Sequence, residues 1–197
     1  MPQLAAEIWV FAVAITLFAG FVKGAVGFAM PLIMVSGLTM VLYPVLAVAL
    51  VILPSVLSNL LQTFRTGLGP ALDAISFAWR YVLVVCLAIL LFAQFLPVMD
   101  PRLFYLALGI PVVAISLIQL LGVTFRIPEA SRWWAEWVAG ALSGIMGGLA
   151  GTWGPPTVLY LLAIDTPKTR QIVIQGVVYV TGAVALLVAH LFSVVLN

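Results

Sequence analysis

Charged residues are scarce in this sequence of 197 residues, which contains 8 Lys and Arg and 6 Asp and Glu. The charged fraction is 7%, against about 25% in a typical soluble domain, and 65% of the residues are hydrophobic. This composition excludes an ordinary water-soluble globular protein. Long segments carry no charged residue at all: 8–22, 24–64, 81–99, 103–125, 137–164 and 171–197. Uncharged apolar runs of such length are typical of membrane-spanning helices.

Residues that carry chemistry are equally few. The single cysteine, Cys86, excludes an intrachain disulfide and a CxxC motif, and His190 is the only histidine. We find no Ser/His/Asp set, paired-carboxylate site or phosphate-binding Gly-Lys-Ser/Thr loop. We therefore predict that the protein is not an enzyme and that it uses no cofactor, metal or nucleic acid. His190 is either a proton relay or a wetted polar residue near the membrane interface.

The lengths of the uncharged runs give the number of membrane crossings, because one crossing needs roughly 20 helical residues at about 1.5 Å per residue. Pro44 divides the run 24–64, and Gly151 with Gly154-Pro155-Pro156 divides the run 137–164. The prediction is an all-α integral membrane protein, a single membrane domain over residues 1–197 with about 7–8 transmembrane helices. The predicted segments are 7–22, 28–43, 45–64, 79–99, 102–124, 133–149, 155–165 and 170–195. The short segments 28–43 and 155–165 either cross tilted or re-enter.

The distribution of Lys and Arg predicts the orientation of the chain. If the segments alternate in direction, only Arg102 falls on one side, and seven positive residues fall on the other: Lys23, Arg65, Arg80, Arg126, Arg132, Lys168 and Arg170. The positive-inside bias places the loops 65–79, 123–132 and 165–170 in the cytoplasm and both termini outside, in the periplasm. Because residues 1–9 contain Glu7 and no Lys or Arg, we expect the first segment to be a retained helix and not a signal peptide.

Two glycine-rich segments, residues 18–32 and 142–156, align without a gap at an offset of 124. The matching pairs are Gly20 with Gly144, Gly24 with Gly148, Gly27 with Gly151, and Pro31 with Pro155. An odd number of crossings separates the two copies, so the repeats are predicted to be inverted, with repeat 1 at about 7–124 and repeat 2 at about 131–197. Partners of the 79–99 and 102–124 helices would start near position 203, so we expect the second repeat to be truncated.

Helices broken at matching glycines and prolines are typical of secondary transporters, whose substrate site lies where the discontinuous helices meet. Unwound backbone survives in a membrane only where it is buried in protein or lines a polar cavity. A new helix is predicted to begin after each break, near 28–31 and 154–156, and to point free N–H groups at an anion. The glycines upstream of each break are more easily explained by close helix packing. They are Gly20, Gly24, Gly140, Gly144 and Gly148.

The segments FAGFVKGAVGFAMPLI and GALSGIMGGLAGTWGPPTVLYLL resemble the TauE/SafE sulfite exporter-like permeases. The resemblance implies a polytopic inner-membrane permease with inverted repeats that moves sulfite, organosulfonates or other small anions. The chain departs from the family pattern at Phe28 and Ala29, where such proteins are often richer in glycine.

Polar residues inside the predicted membrane region are candidates for the substrate site. Ser55, Ser58, Asn59 and Gln62 share one helix face, which either lines the permeation cavity or supplies hydrogen bonds between helices. Lys23 either faces a cavity or snorkels to the headgroups. The predicted substrate-binding residues are Lys23, Gly24, Gly27, Phe28, Pro31, Ser55, Asn59, Gly148, Gly151, Thr152, Trp153, Gly154, Pro155 and Gln175.

The function predicted from these features is export of sulfite or organosulfonate-type anions across the inner membrane by alternating access. The expected partners are the small anion, the lipid bilayer and a second copy of the chain, because a homodimer could supply the missing helices. Two alternatives remain open at this point. One is a non-transporting membrane subunit or scaffold, and the other is a permease for a cation or a neutral solute.

Overall fold

The computed structural model describes residues 6–123 and 125–195, which form α-helices without any strand. Two short 3-10 segments, Ala93–Val98 and Glu129–Ser131, also occur in these ranges. The all-α prediction is confirmed. The helices are α1 (Ala6–Val26), α2 (Met30–Leu38), α3 (Pro44–Phe64), α4 (Leu68–Phe92), α5 (Pro101–Leu120), α6 (Arg132–Ala150), α7 (Gly154–Ala163) and α8 (Lys168–Val195).

Five stretches of the described chain are long and apolar enough to cross a membrane: α1, α3, Leu68–Val98, α5 and α8. In contrast, α2 and α7 have only 9 and 10 residues. At about 1.5 Å per residue they reach about 14 Å and 15 Å, half of the roughly 30 Å hydrocarbon layer. The two short predicted segments are therefore half-length helices. The chain is a multi-pass membrane protein.

Two predicted boundaries are wrong. The loop 65–79 is mostly helical, since α4 begins at Leu68 and bends at Ala78, where φ is −111° and ψ is 15°. Small residues at helical spacing, Ala71, Ala74 and Ala78, are buried there, while Asp73 lies on the exposed face. The segment 28–43 forms a helix only to Leu38, and residues 39–43 turn the chain into the proline that starts α3.

The repeat found in the sequence reappears in the helix boundaries. Met30 and Gly154, which begin α2 and α7, are 124 positions apart, and so are Pro44 and Lys168, which begin α3 and α8. The local cause is the same in both copies: a glycine with positive φ follows α1 and α6, and prolines occupy the first turn of α2 and α7.

The helices α4, α6 and α8 run in the same direction. Residue numbers rise together between α4 and α8, from the Asp73–Arg170 contact to the Gln94–Ala189 contact. Residue numbers also rise together between α4 and α6, from the Phe77–Arg132 contact to the Tyr81–Ser143 contact. The three helices are therefore parallel.

The helix α1 runs in the opposite direction. Ile15 of α1 lies against Gly37 of α2, so these two helices are antiparallel. Ser58 of α3 contacts Met30 of α2, at the far end of α3 from the connecting turn, so α2 and α3 are antiparallel as well. The end of α3 lies beside the start of α8, since Gln62 donates to the Ile172 carbonyl and Thr63 lies against Gly176. The helix α3 therefore runs antiparallel to α8 and hence to α4, which is parallel to α8. It follows that α1 opposes α4 and therefore α6, which is the inverted arrangement of the repeats.

Candidate functional site

The first break in the helices comprises residues 27–29, between α1 and α2. The amide of Gly27 still donates to the carbonyl of Lys23 at 2.7 Å, so α1 is helical to Val26. Positive φ angles then follow at Gly27 (85°) and Ala29 (74°). The predicted substrate-binding residues Lys23 and Gly24 therefore belong to the last turn of α1 and not to the break. The helical hydrogen bonds of α1 therefore continue up to Gly27, where the first positive φ ends the helix.

The second break comprises residues 151–153, between α6 and α7. Gly151 has a φ of 64°, and its amide donates to the Gly147 carbonyl at 2.9 Å, which closes the end of α6. Gly148 therefore lies inside α6. A Cβ atom there would be 2.8 Å from the Ala93 amide nitrogen, so Gly148 permits close helix packing and lies in the wall of none of the cavities described below.

The two breaks meet. A Cβ atom on Gly154 would lie 3.6 Å from the Cδ2 atom of Phe28. Residues of both breaks, with Tyr179 of α8, line a shared cavity of about 10 Å³. That volume admits at most about one water molecule, so no larger ligand fits between the breaks in this conformation. The lining residues that come from the predicted site are Pro31, Thr152, Trp153, Gly154 and Pro155.

The hydrogen-bond donors of the two breaks are unequal. The first amides of a helix have no partner inside it, and Met30 and Leu32 of α2 carry such N–H groups, although Pro31 does not. In α7, by contrast, two consecutive prolines, Pro155 and Pro156, follow Gly154. The prediction that both helix starts point free N–H groups at an anion is therefore weakened for α7, because two of its first three residues have no N–H group.

Lys23 points away from the end of its helix and towards α3. Its ammonium group donates to the Ser58 hydroxyl at 2.9 Å and to the Asn59 side-chain oxygen. The residue is only 7% exposed. A lysine that snorkels would extend along the helix to its end, so this geometry favours the alternative in which Lys23 faces a cavity.

A cavity of about 540 Å³ opens beside Lys23, between α1 and α3, and is called the vestibule below. Its walls include Gly20, Lys23, Gly24, Ser58, Gln62 and Arg65, and no carboxylate lines it. The ion pairs of the described residues join Arg80 and Arg132 to Glu136 and Arg170 to Asp73, without Lys23. The vestibule is therefore a positively charged cavity whose buried cation has only neutral partners.

Buried polar atoms without a partner occur at three of the predicted site residues. They are the Ser55 hydroxyl, the Asn59 side-chain nitrogen and the Thr152 hydroxyl. An unpaired polar group that is buried costs about 1–3 kcal/mol, so water or a ligand is the natural partner for each. Gln175, another predicted residue, lies close to the first break, since its Oε1 atom would be 3.7 Å from a Cβ on Gly27.

Of the predicted residues, Lys23, Gly24 and Gly27 line the vestibule, five others line the closed cavity, and Phe28 contacts Gly154. Gly151 caps α6 and packs against Val48. The polar residues that line these cavities and are absent from the predicted set are Ser58, Gln62, Arg65 and Tyr179. A signal for them exists in the sequence, because Ser58, Gln62 and Arg65 continue the polar face of Ser55 and Asn59 at helical spacing.

A separate polar cluster surrounds Glu136, which is buried in α6 and not in a loop. Its carboxylate accepts hydrogen bonds from Arg132 at 3.0 Å, Tyr160 at 3.3 Å and Arg80 at 3.5 Å. The two guanidinium groups share the one carboxylate, and the donors come from α4, α6 and α7. This cluster joins α4 of the first repeat to α6 and α7 of the second.

An all-helical membrane chain with inverted repeats, two converging helix breaks and a buried charge beside a cavity has the architecture of a secondary transporter. The chain matches the family model described as Sulfite exporter TauE/SafE over residues 12–197. It belongs to this family, whose members are membrane permeases that export sulfite and related anions. No curated protein and no solved structure matches the chain.

Proposed function

We propose that the chain exports a small oxyanion of the sulfite or organosulfonate type and that Lys23 binds it. The observation that carries this proposal is the buried ammonium group of Lys23, whose hydrogen-bond partners are neutral. A buried charge without a counter-ion is costly, and an anion in the vestibule removes that cost.

The chemistry of the vestibule fits an oxyanion better than a cation. Lys23 and Arg65 supply positive charge, and Gln62 lines the same cavity. The unpaired nitrogen of Asn59 belongs to the amide that already accepts from Lys23, so one residue can orient the lysine and donate to the anion. A sulfite or sulfonate group presents three oxygens, which several such donors can bind together.

The proposed orientation follows from the positive residues. Arg65, at the vestibule, belongs to the loop that the positive-inside bias places in the cytoplasm of a cell with an inner membrane. Both termini then face the periplasm. In this proposed orientation, the open vestibule and the closed cavity between the breaks make the conformation inward-facing. Transport requires the two repeats to move relative to each other, so that Phe28 separates from Gly154 on the path outward.

Anion binding to purified protein tests the role of Lys23. We expect sulfite and methanesulfonate to raise the unfolding temperature of the wild-type protein, because a ligand of the folded state stabilises it. The variant Lys23→Gln should weaken binding about tenfold or more, which corresponds to about 1.4 kcal/mol. The matched control is Lys168→Gln, which changes the only other lysine, an exposed one. Equal binding by the wild type and Lys23→Gln would contradict the proposal.

Flux measurements separate the alternatives. Vesicles that contain the protein should accumulate or release labelled sulfite faster than empty vesicles, whereas a scaffold subunit gives no flux. Charge reversal in Lys23→Glu should abolish anion flux. If this variant instead transports as well as the wild type, or gains cation transport, the vestibule is not an anion site.

A further inference from the structure

A further cavity with charged walls lies beside the start of α6. Its volume is about 470 Å³, and it opens between α4 and the segment 129–136. The charged residues in its wall are Arg80, Glu129, Arg132 and Glu136. It shares no residue with the vestibule or with the cavity between the breaks, so the transport path described above does not account for it.

Exposed tryptophans mark the level of this cavity in the membrane. Trp79 and Trp133 line it and are 53% and 55% exposed. Trp134 and Trp137 of α6 are exposed as well. Because tryptophan concentrates at the level of the lipid headgroups, the cavity lies at a membrane interface, and it is called the interfacial cavity below.

An apolar strip of α4 leads from the interfacial cavity towards the middle of the membrane. Exposed leucines follow Trp79 at four-residue spacing, so they share its helix face: Leu83, Leu87 and Leu91. The stretch Leu68–Val98, to which they belong, is long and apolar enough to cross a membrane. Charged walls at headgroup level and an apolar strip beside them are the two features that a phospholipid site needs.

The two arginines of the interfacial cavity are held to different degrees. The Nε atom of Arg132 donates to the Glu136 carboxylate at 3.0 Å, and its Nη2 atom donates to the Phe77 carbonyl at 2.7 Å. Arg80 approaches the same carboxylate only to 3.5 Å, and its side chain is 46% exposed. Arg132 and Glu136 therefore compensate each other, and Arg80 is the cation that remains available to a ligand.

Glu129 is the anion that remains available. It is exposed and begins the short 3-10 segment before α6. The ion pairs of the described residues involve Glu136 and Asp73, and Glu129 takes part in none of them. The interfacial cavity therefore offers a ligand one positive and one negative group. A purely anionic headgroup would pair with Arg80 but would be repelled by Glu129.

We infer that the interfacial cavity binds the zwitterionic headgroup of phosphatidylethanolamine. The phosphate accepts hydrogen bonds from the Arg80 guanidinium, whose planar donors match phosphate oxygens. The ammonium group, two carbons from the phosphate ester oxygen, donates to the Glu129 carboxylate. Trp79 and Trp133 pack against the glycerol region, and an acyl chain lies along the leucine strip of α4.

This choice of lipid follows from the pair of charges. Phosphatidylglycerol supplies a phosphate but no cation for Glu129. Phosphatidylcholine supplies both charges, but methyl groups replace the N–H donors of its cation. Because Arg80 belongs to α4 of the first repeat and Glu129 precedes α6 of the second, the bound lipid joins the two repeats at the membrane interface.

Thermal unfolding of the delipidated protein in detergent tests the ligand. The probes are phosphatidylethanolamine, phosphatidylcholine and phosphatidylglycerol with identical acyl chains, and inorganic phosphate. We expect phosphatidylethanolamine to raise the unfolding temperature most, because a ligand of the folded state stabilises it. Equal effects of the three lipids, a larger effect of phosphatidylglycerol, or an equal effect of inorganic phosphate would overturn the proposal.

Variants of Glu129 test the selectivity, measured by native mass spectrometry of the lipid complexes. Glu129→Gln should weaken phosphatidylethanolamine binding about three- to fivefold, the effect of one partly exposed ion pair. Glu129→Lys should reverse the preference towards phosphatidylglycerol. Both variants should fold, since Glu129 is exposed. The matched control Glu7→Gln, at an exposed residue of α1, should bind like the wild type. An unchanged preference in both Glu129 variants would overturn the proposal.

The role of Arg80 has its own signature. Arg80→Gln should weaken the binding of all three lipids, because each of them carries the phosphate, whereas Arg102→Gln, at an exposed residue of α5, should not. Lipid binding by Arg80→Gln at wild-type strength would refute the phosphate contact. Lys23→Gln should keep the preference for phosphatidylethanolamine, so failure of the lipid site and failure of the anion site are distinguishable.

Discussion

Phe28 of the first break lies against Gly154, the first residue of α7, where a Cβ atom would be 3.6 Å from the edge of the phenylalanine ring. Tyr179 of α8 reaches the same glycine, since its hydroxyl donates to the Gly154 carbonyl at 3.5 Å. Under the proposed function, the contact of Phe28 with Gly154 is the barrier between the vestibule and the far side of the membrane.

Removal of the Phe28 ring should open this barrier. We expect Phe28→Ala to raise the passive leak of sulfite from vesicles, because the closed cavity then has room for water. The control is Phe95→Ala, which changes a residue that is 55% exposed in the short 3-10 segment after α4. A leak equal to that of the wild type would show that Phe28 is not part of the barrier.

Gly148 and Gly109 should respond in opposite ways to the same added methyl group. Gly148→Ala places a Cβ 2.8 Å from the Ala93 amide nitrogen and 3.0 Å from the Ile89 carbonyl oxygen, so we expect a loss of about 1–3 kcal/mol in unfolding free energy. Gly109→Ala adds a methyl group in open space within a helix and should gain up to about 1 kcal/mol. Denaturation of the purified proteins measures both. Equal stability of the two variants would refute the close packing of α6 on α4.

Substitution of two buried serines, Ser143 and Ser55, should distinguish a structural hydrogen bond from a residue of the ligand site. The Ser143 hydroxyl is bonded to Tyr81 at 2.6 Å, so Ser143→Ala should lower the unfolding free energy by about 1–2 kcal/mol. The Ser55 hydroxyl has no partner, so Ser55→Ala should leave stability unchanged or slightly higher. We also expect Ser55→Ala to weaken sulfite binding, measured by calorimetry. If binding is unaffected, Ser55 does not face the anion.

The alanine in the first break is held in a left-handed conformation that favours glycine. Because φ at Ala29 is 74°, Ala29→Gly should remove backbone strain and raise the unfolding free energy by about 1 kcal/mol. The control Ala14→Gly changes an exposed residue within α1 and should lower the unfolding free energy by about 1 kcal/mol. Thermal unfolding in detergent compares the two. Destabilisation by both substitutions would contradict the conformation of the first break.

Local sequence signals predicted the parts of the fold that depend on glycine and proline. The offset of 124 between the two motifs placed the starts of α2 and α7 correctly, since prolines at a helix start and a glycine with positive φ act within a few residues. The sequence did not define where each break begins and ends. The stretch from Lys23 to Val26 contains nothing that forbids a helix, and the structure keeps it helical.

Tertiary contacts decided what the sequence left open. The sequence placed Lys23 near the membrane interface, and only the packing of α1 on α3 shows that Ser58 and Asn59 receive its ammonium group. Gly24 and Gly148 are equivalent in the repeat, yet one lies in an open groove and the other against α4. Such a difference depends on which helix is present beside each copy, and this information is not contained in the motif.

The inverted repeat places Gly147 where the first copy has Lys23, and Gly182 and Ala189 where it has Ser58 and Arg65. When the two halves exchange roles, the compartment on the far side meets small apolar residues in place of the lysine, the serine and the arginine. Under the proposed function, an anion that Lys23 binds therefore meets no equivalent charge in the second half, which should lower its affinity for the conformation open to the far side. Net export would still require a concentration gradient or a coupled ion, because unequal affinities on the two sides do not set the direction of flux.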